Sequence, residues 1–486
     1  MRRMFKLAVA TSVAAVAGLV VGALPASATP PTGYGFDNVP NVVVGGGSDT
    51  TYPAMLNLTK LYMQSAISGC PHVTAIGSTL NDCSDSSPNP QPNTNLGDYD
   101  GDTFTQANPV GSSAGVASLN GAPNSSTSYV GAVRPTNYTC PGTSTVITTT
   151  GANVDFARSS RAPKTSSGNS VCTTNELDSD TFWGFAQDGV QVIALTSTRG
   201  ADLQGVGGSS LTPDQLFNIW NCTGGSGAGG QMIWSDLVPS LLGTPRGDAL
   251  VVPWGMNSSS GTFATFQTFI QNNASGVPTG WSPDGQACDR KLQSGLFPLE
   301  NDIKNIVNDP TTLSTDPASA DNPDNWLWWG SFGAMSAFPY LSNYTRAGSP
   351  TIPTIATPSP VNGILPSTSG IIANTYPIGR TLYHVTLKPY ADCPKTGTAC
   401  DFPGHVGPLI TGTTHDLNVT GATNGVRGAV REFTRFLCRA STAQHGLNPY
   451  TGNNNFNEIT SAINTAGFTV VPASLRTSGS RCDVLS

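Results

Sequence analysis

One stretch, residues 248–271, constrains the fold of this chain more than any other. Its apolar start, residues 249–252, predicts a buried strand, and its later phenylalanines stand at helical spacing. Between them lies a tight turn, residues 258–262, with the sequence Ser-Ser-Ser-Gly-Thr. Such hydroxyls cap the unpaired N–H groups of a first helical turn, and the same groups can hold an anion at the positive helix end. The stretch therefore predicts a strand–turn–helix unit that is either an ordinary cap or part of an anion site.

The same pattern recurs near the start of the chain. Residues 41–44 are an apolar strand pattern and residues 45–49 a glycine-rich turn. A helix then begins at Thr51, Tyr52 and Pro53, since proline suits a first helical position. This recurrence predicts a second hydroxyl-bearing helix start after a strand.

Strand and helix patterns alternate along the rest of the chain. A crossing strand is predicted at residues 182–195, a capped helix at 211–220 and a late strand at 381–387. The tryptophan-rich segment 325–341 and the inner face of a helix at 426–440 are predicted core. This alternation is typical of the α/β class with mainly parallel strands.

The N-terminus has the pattern of a secretory leader. Arg2, Arg3 and Lys6 precede an apolar body at residues 7–24, and an A-x-A cleavage signal ends at Ala28. No cysteine follows the cleavage point directly, so a lipid anchor is not expected there. We expect a protein that is secreted or periplasmic after cleavage near that alanine.

Charge argues against a nucleic-acid or membrane partner. Removal of the leader with its three basic residues leaves 20 basic against 30 acidic residues, a net charge of −10. No basic patch stands out, so nucleic acid and anionic membranes are poor partners.

The ten cysteines predict disulfide bonds, because an even number in an exported chain is typical of a disulfide framework. The count leaves the connectivity open, and irregular spacings without a CxxC motif make zinc the weaker interpretation. Our hypothesis is pairing between sequence neighbours, which gives Cys70–Cys83, Cys140–Cys172, Cys222–Cys288, Cys393–Cys400 and Cys438–Cys482.

Two arginines stand close together in a chain with only 11% charged residues. Arg158 and Arg161 lie within residues 154–163, and the planar guanidinium fork suits oxyanions. Ordinary surface ion pairing is the alternative interpretation of this segment.

A short motif offers an enzymatic alternative. Residues 111–115 fit the G-x-S-x-G pattern of serine hydrolases, with Ser113 as the nucleophile. Its partners would be a later aspartate and a histidine from the set His384, His405, His415 and His445.

Taken in order, these motifs resemble the solute receptors of phosphate ABC transporters, phosphate-binding members of the periplasmic-binding-protein superfamily of type II-like fold. The order of the motifs carries the resemblance. The matching segments are residues 45–53, 111–115, 154–163, 212–220, 260–262 and 376–378.

The resemblance implies a two-lobed α/β fold, in which each lobe is a mainly parallel sheet flanked by helices and the ligand cleft lies between the lobes. Residues 1–28 would be the signal peptide, 29–190 and 375–486 lobe I, and 191–374 lobe II. It further implies a non-enzymatic protein without cofactor or metal. The ligand contacts that match position by position are Thr51, Tyr52, Ser112, Ser260, Gly261 and Thr262.

Two departures from the family pattern bear on the ligand. Met256 stands where the family has an arginine, and Ser160 or Arg161 stands where it has the acidic residue that accepts the phosphate proton. We predict that Arg158 or Arg161 replaces the missing cation. The sequence leaves the selectivity between phosphate and sulfate undecided.

We therefore expect a secreted, monomeric solute-binding protein that captures an oxyanion, with inorganic phosphate as the first candidate. It would serve uptake through an ABC-transporter permease or scavenging. One alternative is the secreted serine hydrolase that uses Ser113. The other is a wall or adhesion module that keeps the fold without a phosphate ligand.

Overall fold

The fold is known from a computed structural model that describes a large part of the chain. The predicted leader and the cysteine pairs 70–83, 140–172 and 393–400 lie outside the described residues. The structure describes residues 42–64, 103–106, 109–120, 137–139, 146–148, 154, 156–166, 175–195, 197–204, 210–284, 286–291, 297–300, 316, 318–336, 357–387, 430, 433–434, 436–438, 453–478 and 480–486.

Strands and helices alternate, which confirms the predicted α/β class. The strands are β1 (Val42–Gly47), β2 (Thr103–Gln106), β3 (Asn137–Thr139), β4 (Val146–Thr148), β5 (Phe156–Ser159), β6 (Asp180–Ala194), β7 (Val252–Pro253), β8 (Trp326–Ser331), β9 (Thr357–Ser359), β10 (Gly379–Leu387), β11 (Thr469–Val470) and β12 (Asp483–Leu485). The α-helices are α1 (Tyr52–Gln64), α2 (Ser112–Leu119), α3 (Ser197–Gln204), α4 (Pro213–Asn221), α5 (Trp234–Leu237), α6 (Gly261–Asn273), α7 (Phe332–Ser336), α8 (Thr368–Ile372) and α9 (Asn455–Thr465).

A ten-stranded sheet forms the frame, with the central order β2-β1-β5-β10-β6-β8-β7. β1 pairs in parallel with β2 and β5, and β7 pairs in parallel with β8. Pairings that involve β6 or β10 are antiparallel, including those of β9, β11 and β12 with β6. Because parallel strands place their carboxyl ends at one edge, the turns after β1 and β5 meet at the same edge of the sheet.

β6 is the crossing strand predicted at residues 182–195. It pairs with β10 over residues 180–189 and with β8 over residues 190–194. Its 15 residues are almost all buried, as a strand covered on both faces requires.

The apolar side chains form two separate clusters, which we call the first and second clusters. The first contains Met55, Leu58, Phe156, Phe182 and Val385, and the second contains mainly residues between Val190 and Ile378. The chain enters the second cluster along β6 and returns to the first along β10. β6 therefore belongs to the packing of both clusters, whereas β10 contributes to the first alone.

Helix α6 begins as its sequence predicts. The side chain of Ser260 accepts a hydrogen bond from the N–H of Thr262, which caps the first turn. Phe263, Phe266 and Ile270 are buried in the second cluster, so one face of the helix is apolar.

The strand before α6 is shorter than predicted. Only Val252 and Pro253 pair as strand β7, whereas Leu250 makes an isolated bridge to Ile233. The N–H of Trp234 also donates to the carbonyl of Ala249, so this part of the run pairs with another segment. Periodicity alone could not show which partner each backbone group takes.

The predicted core residues of the aromatic segments are buried. Trp326, Trp328 and Trp329 belong to the second cluster, whereas Phe433 and Phe436 pack against Tyr62 in the first. Aromatic rings packed edge to face stabilise such cores beyond their buried area.

Among the described helices, none is both long enough and apolar enough to span a membrane.

Two of the predicted disulfides are present. Cys222 pairs with Cys288 and Cys438 with Cys482, which confirms sequence-neighbour pairing for these four cysteines. The second bridge joins a buried segment of the first cluster to the C-terminal segment.

Loss of the Cys438–Cys482 bridge is expected to lower the free energy of unfolding by about 2–4 kcal/mol, because the bridge restricts the unfolded chain. The double variant Cys438→Ser/Cys482→Ser tests this by urea denaturation followed by circular dichroism. Each single variant serves as a control and should lose about as much as the double, since the bridge needs both sulfurs. An unchanged midpoint would contradict the expectation.

Candidate functional site

Five buried hydroxyl groups meet where four separate segments come together, and we call them the hydroxyl cluster: Ser48, Thr50, Ser112, Ser160 and Thr262. Ser48 Oγ donates to Ser160 Oγ over 3.0 Å, and Ser112 Oγ lies 3.2 Å from the same atom. The N–H of Ser160 donates to Ser112 Oγ over 2.9 Å. Thr50 Oγ1 lies 3.2 Å from Thr262 Oγ1. Residues far apart in sequence thus share one buried polar site.

Each segment of the hydroxyl cluster follows a strand or begins a helix. Thr50 precedes α1 by two residues, Ser112 begins α2, Ser160 directly follows β5, and Thr262 is the second residue of α6. The first turns of helices have unpaired N–H groups and a partial positive charge. The site therefore combines hydroxyl donors with the positive ends of three helices.

Gly261 allows the segments to approach this closely. A Cβ atom at this position would lie 2.4 Å from both Ser112 Oγ and Ser160 Oγ. No larger residue fits without a shift of the backbone or of these side chains.

The other predicted contacts of the first helix lie beside the cluster. Thr51 is fully buried, and its Oγ1 has no hydrogen-bond partner among the described residues. Tyr52 is half-buried, and the guanidinium of Arg158 lies 5.0 Å from the centre of its ring. Thr51 thus has a hydroxyl available to a ligand, whereas the Tyr52 ring packs against an arginine.

The two arginines of the predicted anion segment hold other partners. Arg158 donates to the carbonyls of Gly45 and Ser48, at 3.0 and 3.3 Å. Arg161 pairs with both carboxylate oxygens of Glu176, at 2.7 and 2.8 Å. Arg158 thus binds the backbone of Ser48, a residue of the hydroxyl cluster. The charge of Arg161 is balanced by the buried carboxylate of Glu176.

A third arginine, Arg380, contacts the hydroxyl cluster directly, and the sequence interpretation did not include it. Its Nη1 donates to Thr262 Oγ1 over 2.8 Å and to the carbonyl of Ser160 over 3.1 Å. Met256, where the family pattern has an arginine, is instead fully buried in the second cluster. The signal that could have found Arg380 is a lone charge directly before the late strand predicted at residues 381–387.

Asp188 holds Arg380 in place. This aspartate, fully buried in β6, accepts from Arg380 Nε and Nη2 at 2.9 and 2.6 Å. Its oxygens also accept from Ser331 Oγ at 2.8 Å and from the N–H of Gly333 at 2.9 Å. Because Nε and Nη2 both donate to Oδ2 of this aspartate, the guanidinium is held in one orientation, with Nη1 at the hydroxyl cluster.

Glu300 is a second acidic residue at the site that sequence reasoning missed. Its Oε1 accepts from Thr50 Oγ1 over 2.8 Å and from Thr262 Oγ1, and it lies 3.9 Å from Arg380 Nη2. Its surroundings in the sequence carry no motif that could have pointed to this role.

Of the hydrolase alternative, the structure describes Ser113 and His384, and each has other partners. Ser113 Oγ accepts from Arg161 Nε over 3.2 Å. His384 instead contacts Thr434 Oγ1 over 2.9 Å and packs against Phe156, and burial lowers its pKa to about 3. The other three candidate histidines, at 405, 415 and 445, lie outside the described residues. The geometry around Ser113 does not favour nucleophilic catalysis with His384.

No protein-family model and no curated protein sequence matches this chain. Several solved structures are similar to it. One is described as a phosphate ABC transporter substrate-binding protein with bound phosphate, from Clostridium perfringens; it is 13% identical, with a TM-score of 0.42, over 89% of this chain and 100% of that one.

Two further structures are also described by phosphate transport or phosphate binding. An ABC-type phosphate transport receptor from Vibrio cholerae is 14% identical, with a TM-score of 0.37, over 76% of this chain and 97% of its own. A possible phosphate binding protein from Planctomyces limnophilus is 13% identical, with a TM-score of 0.34, over 82% and 99%. The descriptions of these three structures name the class of protein that the sequence motifs resemble.

Proposed function

We propose that this chain is a non-enzymatic solute-binding protein that captures a small oxyanion, inorganic phosphate foremost, at the hydroxyl cluster. One observation carries the proposal: donors from four separate segments converge on one buried place, next to an arginine fixed by Asp188. Buried hydroxyls and helix N-termini bind a dehydrated anion through many short hydrogen bonds. Phosphate, rather than another oxyanion, is favoured by the order of the motifs in the sequence.

The proposed cleft would lie between the two clusters. Thr50 lies two residues before α1, whose Ala54 and Met55 pack in the first cluster. Thr262 lies in α6, whose Phe263 packs in the second. An anion held by both threonines would join the two halves, which supports lobes divided near residues 190 and 375 and a closure driven by the ligand.

Delivery to a membrane permease, or scavenging outside the cell, is the biological role we propose for such a receptor. It rests on the motif resemblance and on the predicted leader, which together indicate an exported protein that hands on its ligand. No contact of the described residues favours the hydrolase or a wall module without ligand.

Replacing Thr262 by valine is expected to weaken phosphate binding by about 10- to 100-fold, because a hydrogen bond to a charged group contributes roughly 1.5–3 kcal/mol. Isothermal titration with phosphate, and separately with sulfate, measures the change and the selectivity.

The matched control is Thr59→Val. Thr59 is also buried, but its hydroxyl donates to the carbonyl of Met55 within α1. This variant should keep the affinity of the wild type. Equal phosphate affinity in the Thr262 and Thr59 variants would refute the proposed site, and no heat with any oxyanion would refute the proposed function.

A further inference from the structure

The carboxylate of Glu300 accepts hydrogen bonds from two hydroxyls of the hydroxyl cluster. Thr50 and Thr262 both donate to its Oε1, and Arg380 Nη2 lies 3.9 Å from the same atom. Arg380 Nη1 donates to Thr262 Oγ1, which leaves the proton of that hydroxyl for Glu300. A carboxylate is an anion with acceptor oxygens, so these groups already bind an oxyanion supplied by the chain itself.

Glu300 differs from the other buried carboxylates around the site. Both oxygens of Glu176 are bound by Arg161, and both oxygens of Asp188 accept hydrogen bonds. By contrast, Glu300 Oε2 is buried and has no hydrogen-bond partner among the described residues. A buried carboxylate oxygen without a partner is unfavourable, so this side chain is poorly satisfied where it lies. Glu176 and Asp188 have the contacts of permanent structural pairs, and Glu300 does not.

We propose that Glu300 is an internal ligand of the anion site and thereby sets its affinity. This inference rests on the proposed function. An incoming oxyanion needs the hydroxyls of Thr50 and Thr262, and two negative charges in one buried site repel each other strongly. The anion therefore displaces the Glu300 carboxylate, and the observed affinity is the intrinsic affinity reduced by the fraction of molecules in which Glu300 holds the site.

The isosteric variant Glu300→Gln tests this. It removes the charge and keeps the shape, so phosphate and sulfate should both bind at least about tenfold more tightly than to the wild type. Isothermal titration with each anion measures the change. Glu300→Ala should act in the same direction, and thermal unfolding without anion shows that both variants fold. Glu458→Gln is the matched control, because this partly exposed residue of α9 contacts Asn453 and should leave both affinities unchanged.

The outcomes separate this inference from the proposed function. Tighter binding of both anions by the Gln and Ala variants supports an internal ligand. If the wild type binds phosphate and the Glu300 variants bind it equally or more weakly, the inference alone is overturned. If the variants lose affinity for phosphate and keep their affinity for sulfate, Glu300 is instead an acceptor for the phosphate proton. If neither the wild type nor the variants bind any oxyanion, the proposed function falls and the inference falls with it.

Discussion

Replacing Asp188 by asparagine is expected to lower the free energy of unfolding by about 3–5 kcal/mol, among the largest effects of any single substitution in this chain. The aspartate is fully buried, and Arg380 donates to it through two nitrogens. Ser331 and the N–H of Gly333 donate to it as well. The neutral amide would remove the carboxylate that pairs closely with the buried Arg380 guanidinium and leave only Glu300, at 3.9 Å, as a counter-charge, and that is the main cost.

Urea denaturation followed by circular dichroism measures this loss. The control is Asp321→Asn, which breaks an arginine–aspartate pair with Arg290 whose aspartate is 49% exposed. Exposed pairs contribute little, so this variant should lose less than about 1 kcal/mol. The double variant Asp188→Asn/Arg380→Met should recover part of the stability, because it also removes the buried guanidinium that lost its aspartate. Equal effects of the Asp188 and Asp321 substitutions would contradict this view of the network.

Replacing Gly261 by alanine is expected to weaken phosphate binding by more than about 100-fold while leaving the fold intact. The added Cβ would meet Ser112 Oγ and Ser160 Oγ at 2.4 Å, far inside contact distance. Those two side chains and α6 must therefore move apart, and a misplacement of about 1 Å is enough for losses of this size. Helix propensity acts in the opposite sense, because alanine favours a helix by up to about 1 kcal/mol over glycine.

Phosphate titration and urea denaturation of the same Gly261→Ala sample separate the two effects. Gly370→Ala is the matched control: it also lies in a helix, but its Cβ would lie 3.0 Å from the hydroxyl of Ser367 and at ordinary contact distance, 3.5 Å or more, from Thr375 and Tyr376. This control should bind phosphate as the wild type does. Wild-type affinity in Gly261→Ala would show that the close approach of the segments is not needed for binding.

Local signals in the sequence predicted the elements well. The crossing strand, the late strand and the capped starts of α4 and α6 are present where periodicity and capping residues indicated. In α4, Thr212 and Gln215 form the reciprocal capping box, with Pro213 at the first position. These features depend on neighbours within a few residues, and so a single sequence contains them.

The partners of buried charges could not be predicted in the same way. The sequence pointed to Arg158 and Arg161, two charges close together in a charge-poor chain and within the matching segment 154–163. The guanidinium that contacts Thr262 comes instead from Arg380, 118 residues further along the chain. Asp188 carried a usable signal, because an acidic residue inside a predicted buried strand requires a cation partner. The pairing of Asp188 with Arg380 follows only from the antiparallel register of β6 and β10.

The division of the apolar residues into two clusters also decides what spectroscopy can report. Seven of the eight tryptophans are buried in the second cluster: Trp220, Trp234, Trp254, Trp281, Trp326, Trp328 and Trp329. The eighth, Trp183, lies in β6 and packs against the first cluster. Intrinsic fluorescence excited at tryptophan wavelengths therefore originates almost entirely in one half of the molecule. The other half, which contains Tyr62 and Tyr383, contributes emission through a single indole.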